Sequence, residues 1–420
     1  MKNRTISQFI NYLNTLIKSD EVLNNFKVEA KDFTRNRVIS FVDIIFILIG
    51  RVTKTTMVEL VQFFSNNGTL KICSPQAFSK ARLKINPAAF QFLNQEILDF
   101  YYEKKRNTFY KNKYQLLAVD GSMIQLPDSN ELGQVFLRAK NNNGAGMPLA
   151  RASVLYDLNN DLALDALITH NKHSEVSLFY EHIDNSSHLI DNHIINPIII
   201  LDRGYANINI IESILKNKML FLIRTKASLN KEVIEFVNSN VIENTIIFKR
   251  KDRDNISCRI VKVKLKSGEI EYLLTNTEFS IKELKELYYK RWGIETYYGY
   301  IKSSLQLENF SSKSANGVLL EFYATIFSAN LNQVLIIETA LKNDPKNKYE
   351  YKVNRNIATG IFKSFYIKMR MYKRVPKKII DDTLTLIRRS KIPIKMERTF
   401  ERIKNKRSRR KYHFNRKLAI

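Results

Sequence analysis

The chain is 420 residues long and 44% hydrophobic, so it can bury at least one large core and is not wholly disordered. Its 68 Lys and Arg against 41 Asp and Glu leave a net charge of +27, which points to a polyanionic partner. The two cysteines, Cys73 and Cys258, stand far apart in no metal-type spacing, which argues against a disulfide scaffold or zinc finger and fits a reducing cytosol.

The N-terminus, MKNRTISQFINYL, lacks the apolar core of a signal peptide. The greasiest run, Val38 to Gly50, carries Asp43 and is too short to span a bilayer, so no membrane partner and a cytoplasmic location are expected. Residues 1–110 read as helices, with apolar residues at helical spacing through Phe41–Ile49, Met57–Phe64 and, after Pro87, Phe90–Tyr102. Between them Ser74–Phe90 reads as a capped basic helix. Its Lys80, Arg82 and Lys84 are either offered to phosphates or form a solvated face.

The pattern changes at Tyr114. YQLLAVDGSMIQL reads as a strand, Leu149–Leu158 and Asp161–Thr169 as a hairpin around Asn159–Asn160, and Ser174 to Leu189 as a helix. PIIILDRGY then has the unbroken apolar run of a strand buried on both faces, followed by a helix over Asn207–Lys218 and a strand over Met219–Arg224. That order predicts an α/β core with a mixed sheet. Residues 226–270 interrupt it with a β-rich segment. Beyond Ser311 the chain is helical again, and its tail from Lys395 to Lys417 holds eleven Lys or Arg against two Glu, either a solvated end or an arm held near DNA.

Two aspartates end apolar strands: Asp120 follows LLAV and Asp202 follows IIIL. Strand ends in an α/β core are where catalytic groups gather, although a turn at Asp120–Gly121 or a helix cap at Asp202 would explain either one alone. The third acid lies in Ser280–Leu307, read as one helix opened by the capping box Ser280–Glu283. At 100° per residue Tyr288, Arg291, Glu295 and Lys302 share a stripe about 60° wide, beside an apolar stripe of Leu287, Ile294, Tyr297, Tyr298, Ile301 and Leu305. Three carboxylates make an oxygen-only site suited to Mg²⁺ or Mn²⁺, and two such ions roughly 4 Å apart could drive phosphodiester chemistry. Arg291 and Lys302 would grip phosphates, while Tyr288 and Trp292 could stack on an unpaired base. Trp292 serves equally well as a core residue on this wheel.

The spacing Tyr288-x2-Arg291-x3-Glu295-x6-Lys302 resembles the YREK signature of bacterial insertion-sequence transposases of the DDE type, the IS-four-like branch. AVDGS at Asp120 and LDRGY at Asp202 resemble that family's two aspartate motifs, and Ser74–Phe90 weakly resembles its N-terminal basic helix. The resemblance implies an RNase H-like catalytic core with a β-rich insertion before the Glu295 helix; with the mixed sheet and the helical N- and C-terminal regions read from the residue pattern, this is an α/β fold flanked by helices. The resemblance covers roughly Leu117 to Phe310, and with the element order it divides the chain into a helical DNA-binding region at 1–110, a catalytic domain at 114–310 with the insertion at about 226–270, and a helical, basic C-terminal region at 311–420 to which no family motif maps. It also implies Mg²⁺-dependent (or Mn²⁺-dependent) cleavage of double-stranded DNA at element ends and strand transfer into target DNA, by a nucleoid-associated homodimer in a synaptic complex. Asp120, Asp202 and Glu295 inherit the catalytic, metal-binding role, and Tyr288, Arg291 and Lys302 inherit contacts to the DNA end. Two other readings keep the core: a structure-selective nuclease, and an inactive DNA-binding element product.

Rival chemistries find no support in the sequence. There is no GxxxxGK[ST] phosphate loop and no G-x-S-x-G elbow. Gly144 and Gly146 read as loop residues, and His170, His173, His182, His188 and His193 as surface histidines in no metal-type spacing.

Overall fold

The computed structural model of the chain describes residues 5–51, 55–103, 108–141, 144–251, 253–265, 267–341, 345 and 347–394. The basic tail from Lys395 lies outside them. The chain divides into two compact units, one made of Met1–Phe100, Gln125–Pro148 and Ile301–Ile420, the other of Tyr101–Ile124 and Leu149–Tyr300.

The first unit opens with α1 (Ile6–Ile17), α2 (Asp20–Phe26), α3 (Phe41–Ile49), α4 (Thr56–Asn66), α5 (Pro75–Arg82) and most of α6 (Ala88–Glu103). The side chains of Thr5, Ser19, Ser40 and Ser74 accept first-turn backbone N–H groups and so set four of these starts. One correction concerns α5. Arg82 is buried, and its Nη1 lies 2.7 Å from Glu321 Oε1, so it is a core ion pair and not a phosphate contact. Lys84 is half-exposed and pairs with Asp32 at 2.6 Å, whereas Lys80 is exposed.

The second unit carries the central sheet. Its elements begin with β1 (Gln115–Gln125), which runs on into α7 (Asn130–Val135) and β2 (Arg138–Asn141) of the first unit. Then follow β3 (Gly144–Asp157), β4 (Leu162–His170), α8 (Glu175–Asn185), α9 (Ser187–His193), β5 (Pro197–Leu201), a 3-10 turn (Arg203–Tyr205), α10 (Ile208–Lys216) and β6 (Leu220–Thr225). Next are α11 (Lys231–Asn238), β7 (Glu243–Phe248), β8 (Ile256–Lys264), β9 (Ile270–Thr275), α12 (Ile281–Lys290) and α13 (Trp292–Ser303). The chain then returns to the helical unit through α14 (Ala315–Glu338), β10 (Tyr351–Val353), α15 (Arg355–Met371), α16 (Lys377–Arg389) and β11 (Lys391–Pro393). Among the described residues no helix is long and apolar enough to cross a membrane.

From one edge the sheet runs β4, β3, β1, β5, β6, β9, β8, β7, with β2 paired to the start of β3. β1–β5 and β5–β6 are parallel, and the β3–β4, β6–β9, β9–β8 and β8–β7 pairs are antiparallel, which is the mixed sheet expected of an RNase H-like core. The β-rich segment does not stand apart: β9 pairs with β6 and prolongs the same sheet. Leu284 and Leu287 of α12 pack on a cluster formed by Leu116, Ile198, Ile200 and Leu222 together with Val261, Val263 and Leu273. The added strands therefore widen the floor on which α12 rests. The alternating Leu117, Ile199 and Phe221 are equally buried, as a sheet covered on both faces requires.

Three local expectations are corrected. Gly144 and Gly146 belong to β3, in a hairpin with β2, and a Cβ at Gly146 would overlap the Ala139 carbonyl. His182 is fully buried, its Nδ1 2.7 Å from Asp165 and its Nε2 2.8 Å from Ser153 Oγ, so it ties α8 to β3 and β4. Ser280–Leu307 is two helices, not one. The Arg291 N–H bonds to the Tyr288 carbonyl and the Ile294 N–H to the Arg291 carbonyl, three residues back in each case, which overwinds the chain between α12 and α13.

Candidate active site

The site forms where β1 and β5 run side by side. Leu116–Val119 and Pro197–Leu201 are both wholly buried apolar runs, and Ala118 pairs with Ile200 in parallel register. Two residues beyond that last pair come Asp120, still within β1, and Asp202, directly after the end of β5. Asp120 lies within β1 and not at a turn; its Oδ1 accepts the Gly121 N–H at 2.9 Å. Its carbonyl accepts the Tyr298 hydroxyl of α13 at 2.9 Å, so the helix bearing Glu295 is tied directly to the strand bearing Asp120.

Asp202 occupies the N-cap position of the 3-10 turn, yet its side chain makes no capping bond. Its Oδ1 instead accepts the Tyr288 hydroxyl at 3.0 Å. Arg291, only 6% exposed, lies with its guanidinium carbon 5.6 Å from the centre of the Tyr288 ring and its Nη2 2.9 Å from Glu295 Oε1. The overwound junction at Arg291 thus carries the side chain that holds Glu295.

The electrostatics separate the two aspartates. Burial pushes Asp120 up to about 6; the Gly121 N–H and Arg291 oppose this, while Glu295 and Glu175 add to it. Burial also works to raise Asp202, but the Arg203 N–H, Arg291 and the Tyr288 hydroxyl outweigh it and hold the group below its ordinary range. Tyr288 is in turn held neutral, first by burial and then by Asp202.

Lys302 is in the last turn of α13 but belongs to the helical unit, where its Nζ lies 3.6 Å from Glu308. Trp292 opens α13 and is 39% exposed, which removes the core reading. One acid went unnoticed in the sequence. Glu175 lies against Gly121 and Gly204, but a glutamate in the first turn of a helix, after the cap Ser174, is too ordinary to mark a site.

Residues 111–331, just over half of the chain, match the transposase DDE domain family. The chain belongs to that family. A 165-residue stretch is 26% identical to a putative transposase for insertion sequence element IS4SA from Synechocystis sp. (strain ATCC 27184 / PCC 6803 / Kazusa), covering 37% of this chain and 46% of that relative. The match therefore spans less than half of the curated relative's length. The fold is similar to that in a cryo-EM structure of a piggyBac transposase synaptic complex with hairpin DNA, at TM-score 0.52 and 11% identity over 93% of this chain and 87% of that one.

The DDE transposase family uses divalent metal ions. The donors of this DDE domain suit such ions in kind, being carboxylate oxygens alone, and a cation would favour the ionised form of Asp120, which burial first and the neighbouring Glu295 and Glu175 after it disfavour. Among the described residues no three His, Cys, Asp or Glu groups are drawn close enough to enclose an ion. Glu295 is paired with Arg291, and Asp202 accepts the Tyr288 hydroxyl.

Proposed function

We propose that the chain is an insertion-sequence transposase that cleaves DNA phosphodiesters at element ends and joins the freed strands to target DNA. The observation that supports this reading is that Asp120 and Asp202 each follow by two residues the parallel pair Ala118–Ile200, while Tyr298 and Tyr288, from the helices on either side of Arg291, bond to Asp120 and Asp202. Asp120, Asp202 and Glu295 would hold Mg²⁺ or Mn²⁺, two ions in all, whose charge favours in-line attack on phosphorus. In the first step a water oxygen attacks and the bond from phosphorus to the 3′-oxygen breaks. In the second, a freed 3′-hydroxyl attacks the target strand in the same way. Arg291, once Glu295 is drawn away, presents its guanidinium to a phosphate; Lys302 serves the same end of the DNA. Tyr288 positions Asp202, and Trp292 stacks on an unpaired base.

For the DNA itself, 1–110 is read as a binding region, 114–310 as the catalytic domain and 311–420 as a basic region, acting in a homodimer on paired ends. A groove of about 990 Å³ in the helical unit, lined by Lys31, Arg35, Arg37, Lys80 and Lys84, supports the first of these. The test is to incubate linear DNA carrying the element ends with Mg²⁺ and a target plasmid. Joined products support a transposase, hydrolysis without joining makes the protein a nuclease, and binding without either makes it an inactive DNA-binding product.

A further inference from the structure

Glu175 is the first residue of α8. Its Oε1 lies 3.3 Å from where a Cβ at Gly121 would stand, and its Oε2 3.6 Å from the same point at Gly204. Gly121 follows Asp120 directly and Gly204 is two residues after Asp202. The Glu175 carboxylate therefore spans the ends of the two aspartate strands, and a side chain at position 121 would crowd it.

Tyr205 supplies an independent sign. It is 2% exposed, and its hydroxyl is buried without a hydrogen-bond partner. Burial, then Glu175, Asp120 and Asp202, keep its proton on, so the phenol is an intact donor in the field of three carboxylates. A buried hydroxyl left without a partner is costly unless something else completes it.

The counter-charges follow the same plan on both sides. Arg151 of β3 ion-pairs with Glu175 as Arg291 does with Glu295, and the Nε atoms of both arginines are buried without a partner. Asp120, Asp202, Glu175 and Glu295 against Arg151 and Arg291 leave two negative charges over when all are ionised. A simple surface ion pair needs neither the two glycines nor the unpartnered phenol.

We infer that Glu175 is a fourth carboxylate of this site and a ligand of its divalent cation, with Arg151 as the counter-ion it exchanges for the metal and the Tyr205 hydroxyl as a donor to the filled site. This rests on the metal-site reading above. The test is Mn²⁺ binding to the full chain without DNA, followed by electron paramagnetic resonance and calorimetry, with a thermal melt of each variant. Glu175→Gln is expected to weaken Mn²⁺ roughly tenfold or more. Glu175→Asp should keep part of the affinity, and Arg151→Gln should bind as tightly as wild type or more so, because a competing cation is gone. Glu181→Gln on the same helix should change nothing. Wild-type affinity in both Glu175 variants, with Asp202→Asn impaired, would overturn the inference alone. If Glu175→Gln does not fold, weaker binding in Arg151→Gln overturns it and equal or tighter binding supports it. A wild-type protein that binds no Mn²⁺, or an Asp202→Asn variant that binds like wild type, would overturn the metal-site reading itself.

Discussion

The Tyr288 hydroxyl donates to Asp202 Oδ1 at 3.0 Å, joining the last turn of α12 to the end of β5. The bond is one of the contacts that hold Asp202 ionised against burial. A depressed carboxylate stabilises the fold above its unfolded pKa, and that stability is lost as pH falls through the folded value. Tyr288→Phe should therefore cost about 1–2 kcal/mol at pH 7 and less at pH 3, measured by denaturant unfolding. An equal loss at both would mean the bond is not linked to the charge.

Asp120 carries the opposite sign. Its pKa rises from 3.8 to about 6, so the folded state holds the proton longer than the unfolded chain. Stability should fall as pH rises through that window, and ionised Asp120 is a burden above it. Without metal, Asp120→Asn should be more stable than wild type by about 1–3 kcal/mol at pH 8, with the advantage gone near pH 4. Chelator-treated protein unfolded at both pH values is the check.

Much of this architecture was legible in the sequence. The runs LLAV and PIIIL are long, apolar and end in acid, and burial of both strands follows from that pattern alone. The overwound junction at Arg291 was not legible, because a helical wheel assumes a constant turn and cannot register a local shift to bonds three residues back. Nor was the fate of the β-rich segment, since its pairing with β6 is a contact between residues some fifty positions apart. Arg82 was misread for a similar reason: its partner Glu321 lies far along the chain.

That misreading can be tested. Arg82 and Arg51 converge on Glu321, which is 1% exposed. Arg82→Ala should leave a buried carboxylate short of charge and cost about 3–5 kcal/mol in chemical unfolding. Lys80→Ala, exposed on the same helix, should alter stability by less than about 0.5 kcal/mol. If it touches phosphate, it should lower the slope of log affinity against log salt by about 1.

Trp292 is the chain's single tryptophan, so its fluorescence reports one place. At 39% exposure it can meet a base without unfolding anything. DNA with an unpaired end should quench it more than blunt duplex does. Trp292→Ala should weaken binding to the unpaired end by about 1–3 kcal/mol, read as a shift in dissociation constant.

The central claim is that Asp120, Asp202 and Glu295 form one metal-dependent phosphodiester site. The direct measurement is cleavage of element-end DNA in Mg²⁺ by wild type, Asp120→Asn, Asp202→Asn and Glu295→Gln, each shown to be folded and to bind the same DNA. Strand cleavage should appear only in the wild type and vanish on chelation. Undiminished cleavage by Glu295→Gln would contradict the assignment.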